Sequence, residues 1–265
     1  QVYVQDLTGM AAYLEPYVIS EPDANGAKVS TAAGTARNAS SDPTFGVAKI
    51  SPYELTTTSY VDRNISRLTP AAYYAKVFNM AMKAMRRDTV KMIFNGDGQS
   101  TNDMFGIKTA KNVAGSNIFA TIDVEAVDAD LLTNLMFAYG GDEELGGNCR
   151  LYLNKKDLQA LGKIRGTNEK RRLFDIVPDA ANPNIGTIRD GGIIVPYSIS
   201  KQLTALSEST KDSAAIPTMV YGDPQNYELG LFGDYTVRVD ESVKAVERML
   251  TILGDAMVGG NLIVD

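Results

Sequence analysis

The residue types that most often do chemistry are thinly spread along this 265-residue chain, and one type is missing. There is no histidine, which removes Ser-His-Asp and Cys-His nucleophilic catalysis, histidine-ligated zinc and imidazole general bases together. The single cysteine, Cys149, has no imidazole to activate it and stands just before an apolar run, so it reads as a small buried residue. Asn95, Asp97, Gln99, Thr101 and Asp103 alternate somewhat as calcium ligands do. An EF-hand loop needs glycine at its sixth position and a bidentate glutamate at its twelfth. Ser100 and Gly106 stand there instead, and a turn in which Asn95 and Asp97 bond their own backbone is the better reading. The adjacent carboxylates Asp240 and Glu241 suit acid–base work, but nothing in the sequence places them in a cleft.

Gly140-Gly141-Asp142-Glu143-Glu144 echoes the signature of diguanylate cyclases, in which glycines let the backbone approach phosphate and the acidic pair serves metal and substrate. The fifth residue here is Glu144 rather than an aromatic, and the run follows a helical pattern rather than lying in a hairpin. A helix-ending glycine followed by a solvated acidic loop explains it more simply. No GxxxxGK[ST] loop is present and no GxGxxG follows a strand. A soluble metal-dependent α/β enzyme therefore stays as a rival without a positive feature, and no catalytic residue, metal or cofactor is expected.

Composition narrows the class further. An apolar content of 44% supports a real core, while a net charge of −6 argues against a chain whose main task is to coat nucleic acid. A mildly acidic wall that merely faces nucleic acid is compatible with it. No apolar run reaches the roughly 18 residues of a membrane span, and no signal peptide is visible. One cysteine makes no disulfide framework and no demand for an oxidising compartment. The sequence starts at Gln1 without an initiator Met; cloning and processing are both open explanations.

The elements fall into two halves. Residues 1–25 mix apolar side chains with Pro16, Pro22 and Asn25-Gly26, which predicts an extended arm with turns. Residues 26–66 are rich in Ala, Gly, Ser and Thr and carry strand-like Ile50 to Tyr60, predicting a projecting hairpin of two long strands. Such a hairpin is marginally stable alone. A helix is predicted over 69–94, with Thr69 as N-cap, Pro70 at the first position and Gly96 as a left-handed stop. Its apolar stripes are unusually broad. Lys76, Lys83, Arg86, Arg87 and Lys91 make it the most basic segment, either complementing the helix dipole or facing nucleic acid.

From Glu125 the pattern becomes compact α/β. A helix is expected over 126–139, a strand over Arg150 to Leu153, and a helix capped by Asn154 to about Arg165. A loop rich in Asn, Pro and Gly follows over 166–192, then strands at Ile193 to Val195, Met219 to Tyr221 and Tyr227 to Phe232. Tyr235, Val237 and Val239 alternate with polar residues as a half-buried strand. Residues 242–258 fit a helix or a strand equally.

The order of these parts resembles the major capsid proteins of tailed double-stranded DNA phages with the HK97 fold. The hairpin segment Ile50 to Ser66 and the helix ending Ile93-Phe94-Asn95-Gly96-Asp97-Gly98 carry the resemblance, with Gly106-Ile107 after it. Leu151-Tyr152-Leu153-Asn154 before a helix, Val220-Tyr221-Gly222-Asp223, Tyr227 to Phe232 and Met249-Leu250-Thr251-Ile252-Leu253 complete it. It covers nearly the whole chain. It implies an α+β capsid fold: an N-terminal arm (1–25), an extended E-loop hairpin (26–66), a P domain (67–125) with spine helix 69–94, an A domain (126–232) and P-domain return strands (233–265). Residues 242–258 then lean towards strand, with hinges near 34–41 and in loop 166–192. A start at Gln1 fits removal of a propeptide or scaffold segment.

The function implied is a mature major capsid protein that self-assembles into hexamers and pentamers of an icosahedral shell enclosing double-stranded DNA. It would be located in the virion capsid and assembled in the bacterial host cytoplasm. Partners implied are copies of itself, DNA held non-specifically, and portal and decoration proteins; no membrane is involved. Inter-subunit contacts are expected at Lys49, Tyr53, Arg63, Arg67, Asp240, Glu241 and Arg248, and DNA-facing cations at Lys83, Arg86 and Arg87. Some members seal their shells with Lys–Asn isopeptide bonds. Lys49 is the candidate lysine, but Arg248 precedes Met249 and has no acyl group to offer, so locking is expected to be non-covalent. The nearest rival is an encapsulin compartment shell.

Overall fold

The structure, a computed structural model, describes residues 2–20, 42–64, 70–98, 103–124, 126–140, 147–166, 170–206 and 218–263. Its backbone is a four-stranded sheet in which two 14-residue strands, β10 (Tyr227–Asp240) and β11 (Met249–Leu262), form a long antiparallel pair. At about 3.3 Å per residue each runs roughly 46 Å. Strand β4 (Tyr53–Asp62) pairs with the outer side of β11, and β1 (Tyr3–Asp6) lies parallel to the first residues of β10. Of residues 242–258, Met249 onward is strand, as the resemblance implied, whereas residues 242–248 form a turn instead.

Helix α1 (Pro70–Asn95) lies across this sheet over 26 residues, about 39 Å. Ala81, Met85, Thr89 and Ile93 recur at i, i+4 and form its buried face. The one polar member, Thr89, is satisfied: its hydroxyl donates to Met85 O at 3.0 Å and lies 2.9 Å from the Tyr235 hydroxyl. Below the helix end, Ile93, Met104, Tyr227, Leu229, Ala256 and Val258 make one core cluster. Thr69, expected as the N-cap, lies outside the described residues.

Gly96 ends the helix for a reason other than the one expected. It is Gly98, not Gly96, that adopts a left-handed φ, +61°. Gly96 is needed for closeness, since a Cβ there would sit 2.2 Å from Met104 O. Among the described residues the Asn95 side chain bonds outside its turn: its Nδ2 donates to Gln202 O at 2.9 Å, tying the helix end to the second half of the chain.

The N-terminal third is paired differently from the expectation. The hairpin is made by β2 (Tyr13–Ser20) and β3 (Thr44–Ile50), antiparallel, so its first strand comes from the stretch assigned to the arm. The strand read as its second arm, β4, belongs to the main sheet. Leu7 of the arm is buried with Ile50 and Phe232. Residues 21–41, with the expected hinge, lie outside the described residues.

A second, five-stranded sheet runs in the order β6-β7-β8-β5-β9, from β5 (Arg150–Leu153), β6 (Asp175–Pro178), β7 (Ile185–Asp190), β8 (Ile193–Ile199) and β9 (Met219–Gly222). Only β5 and β8 are parallel. Short helices α2 (Leu131–Phe137) and α3 (Lys155–Leu161) accompany it, α3 capped by Asn154, whose side chain accepts from Lys156 N at 3.0 Å. Leu131, Leu151, Leu153, Phe174, Ile188, Val195 and Tyr197 fill its core. Cys149 is buried, as expected.

Two expectations fail here. The stretch 166–192 is not a plain loop but contains the β6–β7 hairpin; Pro178 and Asn182-Pro183 read as breakers, whereas Pro178 ends an edge strand, where its missing N–H is tolerated. Tyr227 to Phe232 does not complete this unit but opens β10. Gly233-Asp234 suggested a break, and the strand instead passes through it with shifts of register between Leu231, Gly233 and Thr236.

Candidate assembly surfaces

The hairpin β2–β3 has no core of its own. Leu14, Ile19 and Phe45 are more than half exposed at 57%, 58% and 63%. Its root is packed, with Ala48 and Ile50 of β3 fully buried; beyond them the packed residue is Tyr17, whose ring lies across Gly46, its register partner, so closely that any side chain at 46 would meet the ring. The root is anchored by Asn261, fully buried, whose Nδ2 donates to Lys49 O at 3.2 Å and Lys111 O at 3.0 Å. Val113 N donates to Val47 O at 2.8 Å from the same side. Beside this root Glu228 is 5% exposed; burial, then the nearby Glu15 charge, push its carboxyl above the usual range.

At the far end of β10 and β11 the turn 241–248 gathers four of the expected contact residues. Arg63 pairs with Glu241 at 3.2 Å, and Arg63 N donates to the carbonyl of Arg248, which sits at φ +57°. Asp240 Oδ1 accepts from the Ser242 hydroxyl at 2.6 Å and Ser242 N at 2.7 Å, which holds its carboxyl below the usual range. Lys244 pairs with Glu247 at 2.7 Å and lies 4.6 Å from the Tyr60 ring centroid. At the apex Val246 is 99% exposed.

Lys49 and Tyr53 do not join this group. Along β11, at about 3.3 Å per residue, Tyr53 opposite Val258 lies roughly 30 Å from the turn and Lys49 beside Asn261 roughly 40 Å. Tyr53 packs against the cluster under the helix, and burial is the first cause raising its hydroxyl. Arg67 lies outside the described residues. Lys83, Arg86 and Arg87 are exposed; at about 100° per residue Lys83 and Arg87 lie opposite the buried Met85 and Arg86 on the flank of α1. The exposed apolar residues of the hairpin were not among the residues singled out from the sequence, and residues 13–20, YLEPYVIS, carry no strict alternation that marks them. A groove of about 270 Å³ between the first half of α1 and the sheet, lined by Tyr74, Val77, Phe78, Val237, Val239 and Ile252, was equally unforeseen.

An extended sheet with uncovered apolar strands at its margin is the anatomy of a subunit rather than of a catalyst, and the sequence agrees. It matches the Phage capsid family over residues 3–265.

The chain belongs to that family.

It is a major capsid protein, a structural protein of the virion capsid and not an enzyme, built to assemble with copies of itself. No curated protein matches the sequence. Among solved structures it is similar to the capsid of an empty GTA particle, with TM-score 0.70, 18% identity, and coverage of 98% of this chain and 84% of that one. The capsid of the native GTA particle gives 0.68, 16%, 98% and 84%. The corresponding figures for a chain of Microbacterium phage Oxtober96 are 0.63, 15%, 98% and 83%. At these identities the likeness is one of fold. The phage capsid match does not favour the encapsulin reading.

Proposed function

We propose that this capsid protein forms hexamers and pentamers of an icosahedral shell enclosing double-stranded DNA, locked without covalent bonds. The observation that carries the reading is the β2–β3 hairpin. A two-stranded hairpin is marginal in isolation, and this one leaves Leu14, Ile19 and Phe45 to solvent. Covering those side chains on a second copy removes apolar area from water at roughly 25 cal/mol per Å². Subunit contact and hairpin order then stabilise each other.

In this reading the E-loop is the hairpin between Tyr13 and Ile50. The P domain comprises α1 and the four-stranded sheet including Tyr227 to Phe232, and the A domain is the five-stranded unit. Lys49, Arg63, Asp240, Glu241 and Arg248 meet neighbouring subunits. A net charge of −6 suits a wall that contains DNA without binding it tightly; Lys83, Arg86 and Arg87, expected from the sequence to face DNA, are exposed cations of α1 for which DNA and a neighbouring subunit compete. Portal and decoration proteins are the further partners, and assembly takes place in the bacterial host cytoplasm.

Non-covalent locking follows from Arg248, whose guanidinium carries no acyl carbon for the amine of Lys49 to attack. Boiling purified shells in detergent should give a single band at 28.6 kDa. A ladder of linked species would overturn it.

A further inference from the structure

We propose that the outward face of helix α1 docks on the acidic segment 121–130 of a second copy, joining subunits head to tail within a capsomer. The inference rests on the assembly reading and names the partner of one of its surfaces.

Lys76, Met80, Lys83, Arg87 and Val90 recur at i, i+4, i+7, i+11 and i+14. At about 100° per residue they fall within roughly 40° of the line opposite the buried Met85. The three cations are exposed, and so are the two apolar residues between them, Met80 at 67% and Val90 at 42%. The helix has one carboxylate, Asp88, which pairs with Arg87 at 3.7 Å. Among the described residues no other ion pair engages the helix cations.

Segment 121–130 is the complement. It holds Asp123, Glu125, Asp128 and Asp130 and no cation. Val124 and Val127 are packed against the core of the second sheet, which leaves Asp123, Asp128 and Asp130 exposed, with Ile122 beside them at 38%.

Basic face and acidic segment belong to different halves of one subunit, and among the described residues no ion pair joins them within it. Their pairing between copies is therefore head to tail, the geometry that closes rings. DNA is the competing occupant of the same cations. It would make no use of Met80 and Val90, and this favours a protein surface with Ile122 in it.

A charge-swap series on the full-length chain tests this, with capsomer and shell formation read by size-exclusion chromatography and electron microscopy. Lys83→Glu with Arg87→Glu, and separately Asp123→Lys with Asp128→Lys, should each lower the assembled fraction on the order of tenfold, because like charges then meet across the contact. Combining all four should restore it. All positions are exposed, and thermal melting alongside the wild type verifies that each variant folds. Unimpaired assembly of either double variant, or no recovery in the combination, would overturn the proposal. So would a helix variant that forms normal shells but retains less DNA, which would assign the face to DNA. A wild-type chain that never assembles would instead bring down the assembly reading itself.

Discussion

Gly96 and Gly106 touch through their backbones: Gly106 N donates to Gly96 O at 3.2 Å where the end of α1 meets the loop that returns beneath it. A Cβ on Gly106 would lie 2.6 Å from Gly96 N and 2.7 Å from Met92 O. The Thr109 hydroxyl donates to the same Gly96 carbonyl, so the crossing is hydrogen-bonded as well as close-packed. It fixes where α1 stops relative to the core cluster of Ile93, Met104 and Tyr227.

Gly106→Ala should therefore destabilise the subunit by about 1–3 kcal/mol, because the obstructing atoms are backbone and cannot rotate away. Chemical denaturation of the unassembled chain measures it. An unchanged midpoint would mean that the loop yields without cost.

Asn261→Ala should cost about 1–3 kcal/mol, since the Lys49 and Lys111 carbonyls lose their donor in a buried place. Hydrogen exchange should show loosening concentrated in β3 and the 110–118 loop rather than in the five-stranded sheet. Uniform acceleration across the chain would contradict the anchoring role.

Glu228 gives a pH dependence of definite sign. Burial, then Glu15, raises its folded-state pKa above the ordinary 4.5, so the folded subunit holds this proton more tightly than the unfolded chain. Stability contributed by the protonated form is present at low pH and is lost as pH rises from about 4.5 through the raised value. Glu228→Gln should be more stable than the wild type at pH 7, with the difference shrinking towards pH 4.5. Denaturation midpoints across that range measure it, and a variant less stable than the wild type at pH 7 would contradict it.

Much of this was legible in the sequence, and the misreadings share a cause. The helix was plain because Pro70, a 3.6-residue period and the glycines after Asn95 all agree, and β5 with its Asn154 cap was equally well punctuated. Pairing was not legible. Nothing local tells β3 to choose residues 13–20 over 53–62, because partners in a sheet are selected by burial against Leu7, Phe232 and Asn261, far away in sequence. Gly233 and Pro178 looked like breaks because the same residues serve turns, bulges and strand ends, and only the neighbouring strand decides which. The contact residues suffered similarly. Arg63, Glu241 and Arg248 meet because β4 flanks β11, while the hairpin's exposed Leu14, Ile19 and Phe45 mean something only once their strand is known to lack a core.

Gly46→Val separates folding from assembly. The added side chain would displace the Tyr17 ring, whose nearest atom lies 2.3 Å from the site of a Cβ at 46. Because the hairpin beyond Ala48 and Ile50 belongs to none of the subunit's core clusters, the isolated chain should melt within a few degrees of the wild type while shell formation falls sharply. Equal loss of both would place the hairpin inside the folding unit.

The central claim is that this chain completes itself on copies of itself. Electron microscopy of the purified full-length protein, paired with size-exclusion chromatography, tests it most directly. The account predicts capsomers and closed icosahedral shells; a monodisperse 28.6 kDa monomer at every concentration and salt tried would contradict it.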